Sequence, residues 1–281
     1  FLAGTFIHAF PFIQQDWDWS SFRIMGVLQR IALAYGIAAI MVIHLDLKKI
    51  FISASGILIA YWGILWIGGG EDPYSLEHNL IRKIDIFLLG ESHLYGGTGI
   101  QFDPEGLLST IPSVVTVLIG YLVGSMLHTT KDFLDNVKRM STFGIGLMIV
   151  GIFWGLLFPI NKQLWTSSYV LFTGGIATLI LSSLCFMIDI KKWKKPLWVF
   201  QIFGTNSIFL FVLSGLWTKI ILRLRFDLEG QSISGYGYLY KTLFVPIGGD
   251  MFGSFLFAFA HLVGFWLILL WLYRKKIFIN L

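Results

Sequence analysis

Residues 96–126 read GGTGIQFDPEGLLSTIPSVVTVLIGYLVGSM, a glycine-rich turn with two carboxylates that leads directly into an apolar run. The run over residues 107–128 is long enough for a membrane-spanning helix, which needs about 20 mostly apolar residues. Asp103 is a residue type that caps helix N-termini, Pro104 suits the first helical position, and Glu105 suits the first turn. The sequence therefore predicts a membrane helix that begins at this acidic motif.

The composition extends this prediction to the whole chain. Of 281 residues, 56% are hydrophobic and only 13% are charged, against about 25% charged residues in an average soluble domain. Residues 1–13 are apolar but too short to cross a bilayer and lack an initial Met, so we expect the tail of an earlier helix and a missing natural N-terminus. We predict an all-α polytopic membrane protein with that partial helix and seven complete spans, near residues 24–45, 50–69, 107–128, 142–159, 168–189, 197–222 and 251–273.

The basic residues indicate which loops face the cytoplasm. When loops are assigned alternately to two faces, 12 of the 21 Lys and Arg residues fall on one face together with only four acids. By the positive-inside rule this face is cytoplasmic, which puts the loops 70–106, 160–167 and 223–250 outside. Because the cations lie in short turns rather than in a patch interleaved with aromatic residues, we predict no nucleic-acid partner.

The chain reads as a single transmembrane domain, residues 1–281, with an extracytoplasmic insertion at about 70–106. A connector of this length usually has a function or structure of its own. Within it, residues 81–89 alternate charged and apolar side chains at helical spacing, which predicts a short amphipathic helix at the membrane interface. The one cysteine, Cys185, provides neither a disulfide nor a cysteine metal site.

Several polar side chains are candidate site residues. Asp103 and Glu105 are candidates for a general base or for carboxylates that orient one, although helix capping alone also explains them. His93 is the histidine nearest to them in sequence on the same face and is a candidate proton carrier, or a histidine that fastens a loop. Gln29 and Arg30 lie inside a predicted span, where a guanidinium needs a partner or an aqueous cavity. Arg30 is therefore a candidate for binding a phosphate or carboxylate. The alternative is a structural pair with one of the acids, or snorkelling of the side chain to the outer surface.

Two further polar segments interrupt the apolar pattern. Asn161, Lys162 and Trp165 form an outer turn that ends in an interfacial aromatic residue, which is typical of an aromatic belt and also suits a binding rim. Asn206 and Ser207 interrupt a predicted span and either pack against a neighbouring helix or line a cavity. The histidines show no metal-ligand spacing, and no nucleophile elbow, P-loop or dinucleotide fingerprint is present, so we expect no metal.

Six blocks together resemble the heparan-alpha-glucosaminide N-acetyltransferase family, whose bacterial members are often labelled as N-acetylglucosamine-related transporters. The blocks follow the family order and span essentially the whole chain. They are residues 23–30 (RIMGVLQR), 85–95 (DIFLLGESHLY), 103–111 (DPEGLLSTI), 161–169 (NKQLWTSSY), 206–207 (NS) and 273–278 (YRKKIF).

The resemblance implies a membrane acyltransferase of about eleven helices that uses acetyl-CoA as co-substrate and an amino sugar or glycan as acceptor. The catalytic histidine of the family belongs to a His-x-x-Trp-x-Gly block that does not occur here, and His8 lacks its Trp and Gly, so we expect that histidine upstream of residue 1. Asp103, Glu105 and His93 are the expected catalytic residues of this chain. Gln29, Arg30, Asn161, Lys162, Trp165, Asn206 and Ser207 are the expected binding residues.

In a bacterium the outer loops would face the periplasm, with the C-terminus in the cytoplasm of an inner-membrane protein. The expected partners are the lipid bilayer and a small-molecule or glycan substrate, and the sequence leaves a homo-oligomer open. An amino-sugar transporter is the alternative function, because the same polar residues would also suit a site at the membrane midplane.

Overall fold

In a computed structural model, which describes residues 1–11, 19–127 and 129–279, the protein is almost entirely helical. Within these residues six helices are long and apolar enough to cross a membrane, or seven when one bent pair is counted as a single span. The predicted class, an all-α multi-pass membrane protein, is confirmed. The described residues form two compact units, the first ending at Trp193 and the second beginning at Lys194, with a short piece around Phe10 joined to the second.

Seven α-helices lie within the described residues of the first unit. Their bounds are α1 Leu2–Ala9, α2 Val27–His44, α3 Leu47–Gly68, α4 Leu80–Leu89, α5 Leu107–Met126, α6 Phe133–Trp154 and α7 Ser167–Cys185. Helix α5 packs against α2, α3, α4, α6 and α7 and is more deeply buried than any other candidate span of the described residues. The acidic motif therefore precedes the central helix of this unit.

Helices α6 and α7 pack closely because glycines face each other across their contact. A Cβ atom at Gly144 would lie 3.1 Å from the carbonyl oxygen of Gly175, and one at Gly175 would lie 2.6 Å from that of Gly144. Small residues let membrane helices approach to backbone contact, where dispersion forces act over the whole interface.

An aromatic and aliphatic cluster supports the loop that carries the acidic motif. Tyr61 and Leu65 of α3 pack there with Ile81 of α4, and with Phe102 and Phe158 from the loops. The Tyr61 hydroxyl donates a hydrogen bond to the carbonyl oxygen of Leu164 at 2.6 Å. Because Phe102 is fully buried, the residue that follows it, Asp103, is held at a fixed place at the start of α5.

In the second unit the described residues form four α-helices and a small hairpin. Its elements are α8 Trp198–Thr205, α9 Ser207–Arg223, β1 Arg225–Leu228, β2 Gln231–Ser234, α10 Gly235–Leu239 and α11 Val245–Arg274. The strands pair antiparallel, with Arg225 opposite Ser234. Ile202 of α8 packs against Leu269 and Leu272 of α11.

Two of the predicted spans differ clearly from the helices of the structure, and the predicted short helix agrees with it. The span predicted at 142–159 is α6, which begins at Phe133 because Asp132 caps its N-terminus, accepting a hydrogen bond from the Leu134 amide at 2.9 Å. Its charged first turns belong to the helix although they lie outside the apolar run. The span predicted at 197–222 is the pair α8 and α9, which bend by 75° at Asn206. The short helix predicted at 81–89 is confirmed as α4.

Candidate functional site

The two acids of the motif are bound by an arginine from the segment before α2. Arg23 donates from Nε to Asp103 Oδ2 and from Nη2 to Asp103 Oδ1, both at 2.8 Å. The same Nη2 donates to Glu105 Oε2 at 2.8 Å, and the guanidinium lies 4.7 Å from the ring centre of Tyr95. We call Arg23, Tyr95, Asp103 and Glu105 the Arg23 cluster.

The two carboxylates of the Arg23 cluster differ in what remains available to a ligand. The Asp103 side chain is fully buried, and each of its oxygens accepts from Arg23, while Oδ1 also accepts from the Glu105 amide at 3.0 Å. The Glu105 side chain is 20% exposed and binds Arg23 through one oxygen. Asp103 is therefore committed to holding the loop, whereas Glu105 keeps an oxygen that can meet a substrate.

The prediction that Asp103 caps α5 is wrong. The helix begins at Leu107, and its first amide donates at 2.9 Å to Oδ1 of Asp85, a residue of α4. The Asp103 carboxylate is bonded to Arg23. The α5 cap is instead the side chain of Asp85, which lies 22 positions before Leu107. A Cβ at position 106 would overlap the Asp85 carboxylate, so this cap requires glycine there.

Asp85 is a buried acid in an environment that disfavours its charge. Burial raises the pKa of Asp85 to about 7, against the opposing effect of hydrogen bonds from the amides of Leu107 and Leu108. Its Oδ2 has no hydrogen-bond partner among the described residues. This carboxyl changes its charge near neutral pH, at the N-terminus of the helix that follows the acidic motif.

Arg30 is bound by neutral groups rather than by a carboxylate. Its Nη2 donates to the carbonyl oxygen of Pro104 and, at 2.8 Å, to Ser109 Oγ. The guanidinium lies 4.5 Å from the ring centre of Trp165. The structural ion pair with the acids, the alternative role predicted for Arg30, is thus made by Arg23 instead. Arg30 holds the backbone between the two acids through the Pro104 carbonyl.

Buried polar atoms without partners surround this second arginine. Among the described residues, Arg30 Nε and both amide atoms of Gln29 have no hydrogen-bond partner, although Gln29 is only 1% exposed. The Gln29 amide packs against Gly4, where a Cβ would clash with it. We call Gln29, Arg30, Asp85, Ser109 and Trp165 the Arg30 cluster. Buried polar groups are almost always hydrogen-bonded, so such a concentration is typical of a place where a ligand or water completes the bonding.

The predicted outer turn places one of its three candidates beside Arg30. Trp165 donates from Nε1 to Thr116 Oγ1 at 3.2 Å, and its φ of 49° lies in the left-handed region that bulky residues rarely adopt. Asn161 shapes the turn by accepting from the amide of Gln163 at 2.8 Å. Lys162 is exposed at the surface of the turn.

Two histidines of the first unit, His8 and His93, are fastened to the segment around Arg23. His93 Nδ1 lies 2.7 Å from the carbonyl oxygen of Phe22, which can only accept, so Nδ1 is the donor of this hydrogen bond. His8 Nδ1 lies 3.0 Å from the carbonyl oxygen of Arg23. His93 therefore orders the backbone next to the Arg23 cluster, and within the described residues it has no hydrogen bond to Asp103 or Glu105.

Asn206 and Ser207 belong to the second unit. The Asn206 side chain donates to the carbonyl oxygen of Ile277 at 3.1 Å and accepts from the amide of Ile279 at 2.7 Å. Its amide is thus used to fasten the segment after α11, which also explains the bend between α8 and α9. Ser207 is exposed at the start of α9.

Four residues of the two clusters were not among the predicted site residues: Arg23, Tyr95, Asp85 and Ser109. Arg23 and Asp85 occur in the blocks quoted above, but their partners lie 80 and 22 positions away, and no local pattern reports such pairings. Ser109 is hidden in an apolar helix. The available signal was chemical, because a buried acid in a motif of two acids requires a cation, and Arg23 lies in the same sequence block as Arg30.

Comparison with known proteins gives the chain its relatives. No protein-family model matches it. Heparan-alpha-glucosaminide N-acetyltransferase of Homo sapiens is 28% identical over 249 aligned residues, which cover 69% of this chain and 37% of that protein. The Mus musculus enzyme of the same name is 28% identical over 251 residues, covering 69% of this chain and 38% of that protein. The chain thus spans little more than a third of the length of the curated relatives it matches.

The fold and the two clusters define a class, a multi-pass helical membrane protein with buried charges gathered at the start of its central helix. Sequence similarity makes the relationship more specific. The chain is related to the heparan-alpha-glucosaminide N-acetyltransferases, as the six sequence blocks had indicated.

Proposed function

We propose that the protein is a membrane-embedded acetyltransferase. It passes an acetyl group from acetyl-CoA to the amine of an amino sugar or glycan on the extracytoplasmic side. The observation that carries this proposal is the group of buried polar atoms on Gln29, Arg30 and Asp85 that have no hydrogen-bond partner in the described part of the chain, beside an acidic motif. The names of the curated relatives supply the reaction class.

The chemistry of amide formation requires three tasks. The acceptor nitrogen forms a bond to the acetyl carbon, the thioester C–S bond breaks, and the amine proton leaves through a base while coenzyme A departs as a thiol. The developing charge on the acetyl oxygen needs donors already in place. Arg30 Nε and the Gln29 amide are the donors proposed for the acetyl-CoA side, because they are buried and have no other partner among the described residues.

Glu105 is the carboxylate proposed to meet the acceptor amine. One of its oxygens is held by Arg23, and the partial exposure of the side chain leaves the other accessible. Asp103 positions Glu105 through the shared arginine, and His93 orders the backbone before α2. We propose that the histidine that takes the amine proton comes from a part of the protein outside this chain. The rim of the acceptor site would be Asn161, Lys162 and Trp165.

The test is acetylation by the full-length protein purified in detergent. With labelled acetyl-CoA and glucosamine, we expect N-acetylated product, and we expect Glu105→Gln to lower kcat at least about 100-fold, the usual contribution of a positioned acid or base. Glu91→Gln is the matched control, because Glu91 lies in the same insertion with a 59% exposed side chain and should leave the rate unchanged. Full activity of the Glu105→Gln protein would refute the proposed role.

A second candidate is transport of an amino sugar. The observation that favours it is the discontinuity of helices in the second unit, where α8 and α9 bend by 75° and α11 has non-helical backbone at Gly248 and Gly249. Broken helices are typical of transporter binding sites. Uptake of labelled N-acetylglucosamine into proteoliposomes without any acetylated product would support transport and exclude the acetyltransferase.

A further inference from the structure

A cavity of the first unit lies away from both clusters. It is a groove of about 790 Å³ between α3 and α6, which we call the α3–α6 groove. Phe51, Leu58 and Ile59 line it from α3, and Phe143, Leu147 and Val150 line it from α6. Nothing in the proposed reaction uses this surface.

The charged residues of the groove are confined to one end. Lys138 and Arg139 are the charged side chains that line it, and both lie at the start of α6, the end at which α3 also begins. Lys138 is 3.5 Å from Asp135 Oδ1, an exposed pair. Arg139 has no hydrogen bond or ion pair among the described residues. Further charges lie at the start of α3, at Asp46, Lys48 and Lys49, and before α6, at Lys131 and Asp132.

The length of the apolar part fits a single hydrocarbon chain. From Arg139 to Val150 is 11 residues of helix, or about 16 Å at 1.5 Å per residue. This is about half of the roughly 30 Å hydrocarbon core of a bilayer, the depth of one leaflet. An apolar groove with cations at its membrane-surface end is complementary to a molecule with an anionic head and an acyl tail.

We propose that the α3–α6 groove binds an anionic glycerophospholipid of the bilayer. Its phosphate lies at Arg139 and Lys138, and one acyl chain lies along the groove between Phe51 and Val150. Basic residues between helices at the membrane surface are known to select anionic lipid heads. Pairing with the phosphate gives Arg139 a partner that the described residues do not supply, and Lys138 exchanges or shares its exposed contact with Asp135.

The first test measures retained lipid by native mass spectrometry of the detergent-purified protein. The probes are phosphatidylglycerol and phosphatidylcholine with identical acyl chains. We expect the wild type to retain phosphatidylglycerol several-fold more, and we expect the double variant Lys138→Gln, Arg139→Gln to lose that preference. The control is Lys191→Gln, Lys192→Gln, which removes two cations from the segment after α7 at the same membrane surface and should keep the preference. Equal retention of both lipids by the wild type, or equal losses in both double variants, would overturn the proposal.

The second test fills the groove. Gly146 lines it, and a Cβ there would meet nothing within 4 Å, so Gly146→Leu should fold normally while occupying the path of the acyl chain. Gly56 of α3 also has open space around a Cβ but does not line the groove, so Gly56→Leu is the control. We expect only Gly146→Leu to lower retention of phosphatidylglycerol. A dimer that persists in the wild type and is lost in Gly146→Leu would show that a second copy occupies the groove, and would refute the lipid.

Discussion

The Arg23 cluster and the Arg30 cluster are each built around an arginine, partly exposed in Arg23 and buried in Arg30, and the loop of residues 103–105 joins them. In the Arg23 cluster the guanidinium meets two carboxylates, and Asp103 has both oxygens bonded. In the Arg30 cluster the guanidinium donates, among the described residues, to a carbonyl and a hydroxyl, and it lies against the Trp165 ring. There Arg30 Nε, the Gln29 amide and Asp85 Oδ2 have no partners within the described residues.

The difference separates a structural task from a binding task. A buried charge that is fully paired holds its neighbours in one geometry, and removing one partner leaves the other uncompensated. Buried polar atoms without partners cost stability, and they are retained where a ligand completes them. We therefore expect changes in the Arg23 cluster to affect folding first, and changes in the Arg30 cluster to affect ligand binding first.

The largest expected effect is on stability and comes from Arg23→Gln. This change leaves the fully buried Asp103 carboxylate without its cation, which costs about 3–5 kcal/mol for buried pairs. Thermal unfolding of the protein in detergent micelles measures it. Lys49→Gln is the control, because it breaks the exposed pair with Asp46, and exposed pairs contribute little. Similar unfolding temperatures for both variants would mean that the Arg23 cluster does not hold the loop.

The second prediction concerns the pH dependence that Asp85 confers. Because burial raises its pKa to about 7 in the folded protein, against an ordinary value of 3.8, the folded state holds a proton that the unfolded state has lost. Stability should therefore fall as the pH rises from about 4 to about 7 and then level off, with a total change on the order of a few kcal/mol.

Asp85→Asn isolates this effect, because the amide oxygen still accepts from Leu107 but cannot ionise. Unfolding temperatures of the two proteins should be close near pH 4 and should diverge in favour of the Asn variant up to pH 8. A constant difference across this range would contradict the raised pKa and would place Asp85 among the paired groups.

The sequence predicts the local features of this site and misses the long-range ones. Apolar runs locate the spans, and helical spacing of charges locates α4, because both depend on neighbouring residues. The acidic motif is also recognisable from its residue types. The partner of Asp103 and the cap of α5 are set by tertiary packing, so Arg23 and Asp85 emerge only in the structure.

The third prediction tests the binding task of the Arg30 cluster. Arg30→Gln removes hydrogen bonds to the Pro104 carbonyl and Ser109 but strands no carboxylate, so we expect a stability loss of about 1–3 kcal/mol, less than for Arg23→Gln. Under the proposed function, the KM for acetyl-CoA should also rise, measured at a temperature at which the variant remains folded. Arg30→Lys keeps the charge but loses the planar fork, and should rescue only part of the binding. A stability loss as large as that of Arg23→Gln would erase the distinction between the clusters.

The smallest expected effects come from the aromatic ring beside each arginine. Tyr95→Leu removes a cation–π contact from an arginine that two carboxylates already hold, so we expect a stability loss of about 0.5 kcal/mol. Trp165→Leu removes both the ring contact with Arg30 and the hydrogen bond to Thr116. Because no carboxylate among the described residues binds Arg30, we expect a stability loss of about 2 kcal/mol.

Trp165→Phe separates these two contributions, since it keeps a ring over Arg30 and loses only the indole N–H. Chemical unfolding in detergent resolves the series. If the free energy of unfolding of Trp165→Phe is close to that of the wild type and that of Trp165→Leu is lower, the ring compensates the charge of Arg30 in place of an acid. That result would explain why a bulky side chain is kept at a φ of 49° next to an unpaired guanidinium nitrogen. Equal effects of Tyr95→Leu and Trp165→Leu would mean that both arginines are held by their hydrogen bonds alone.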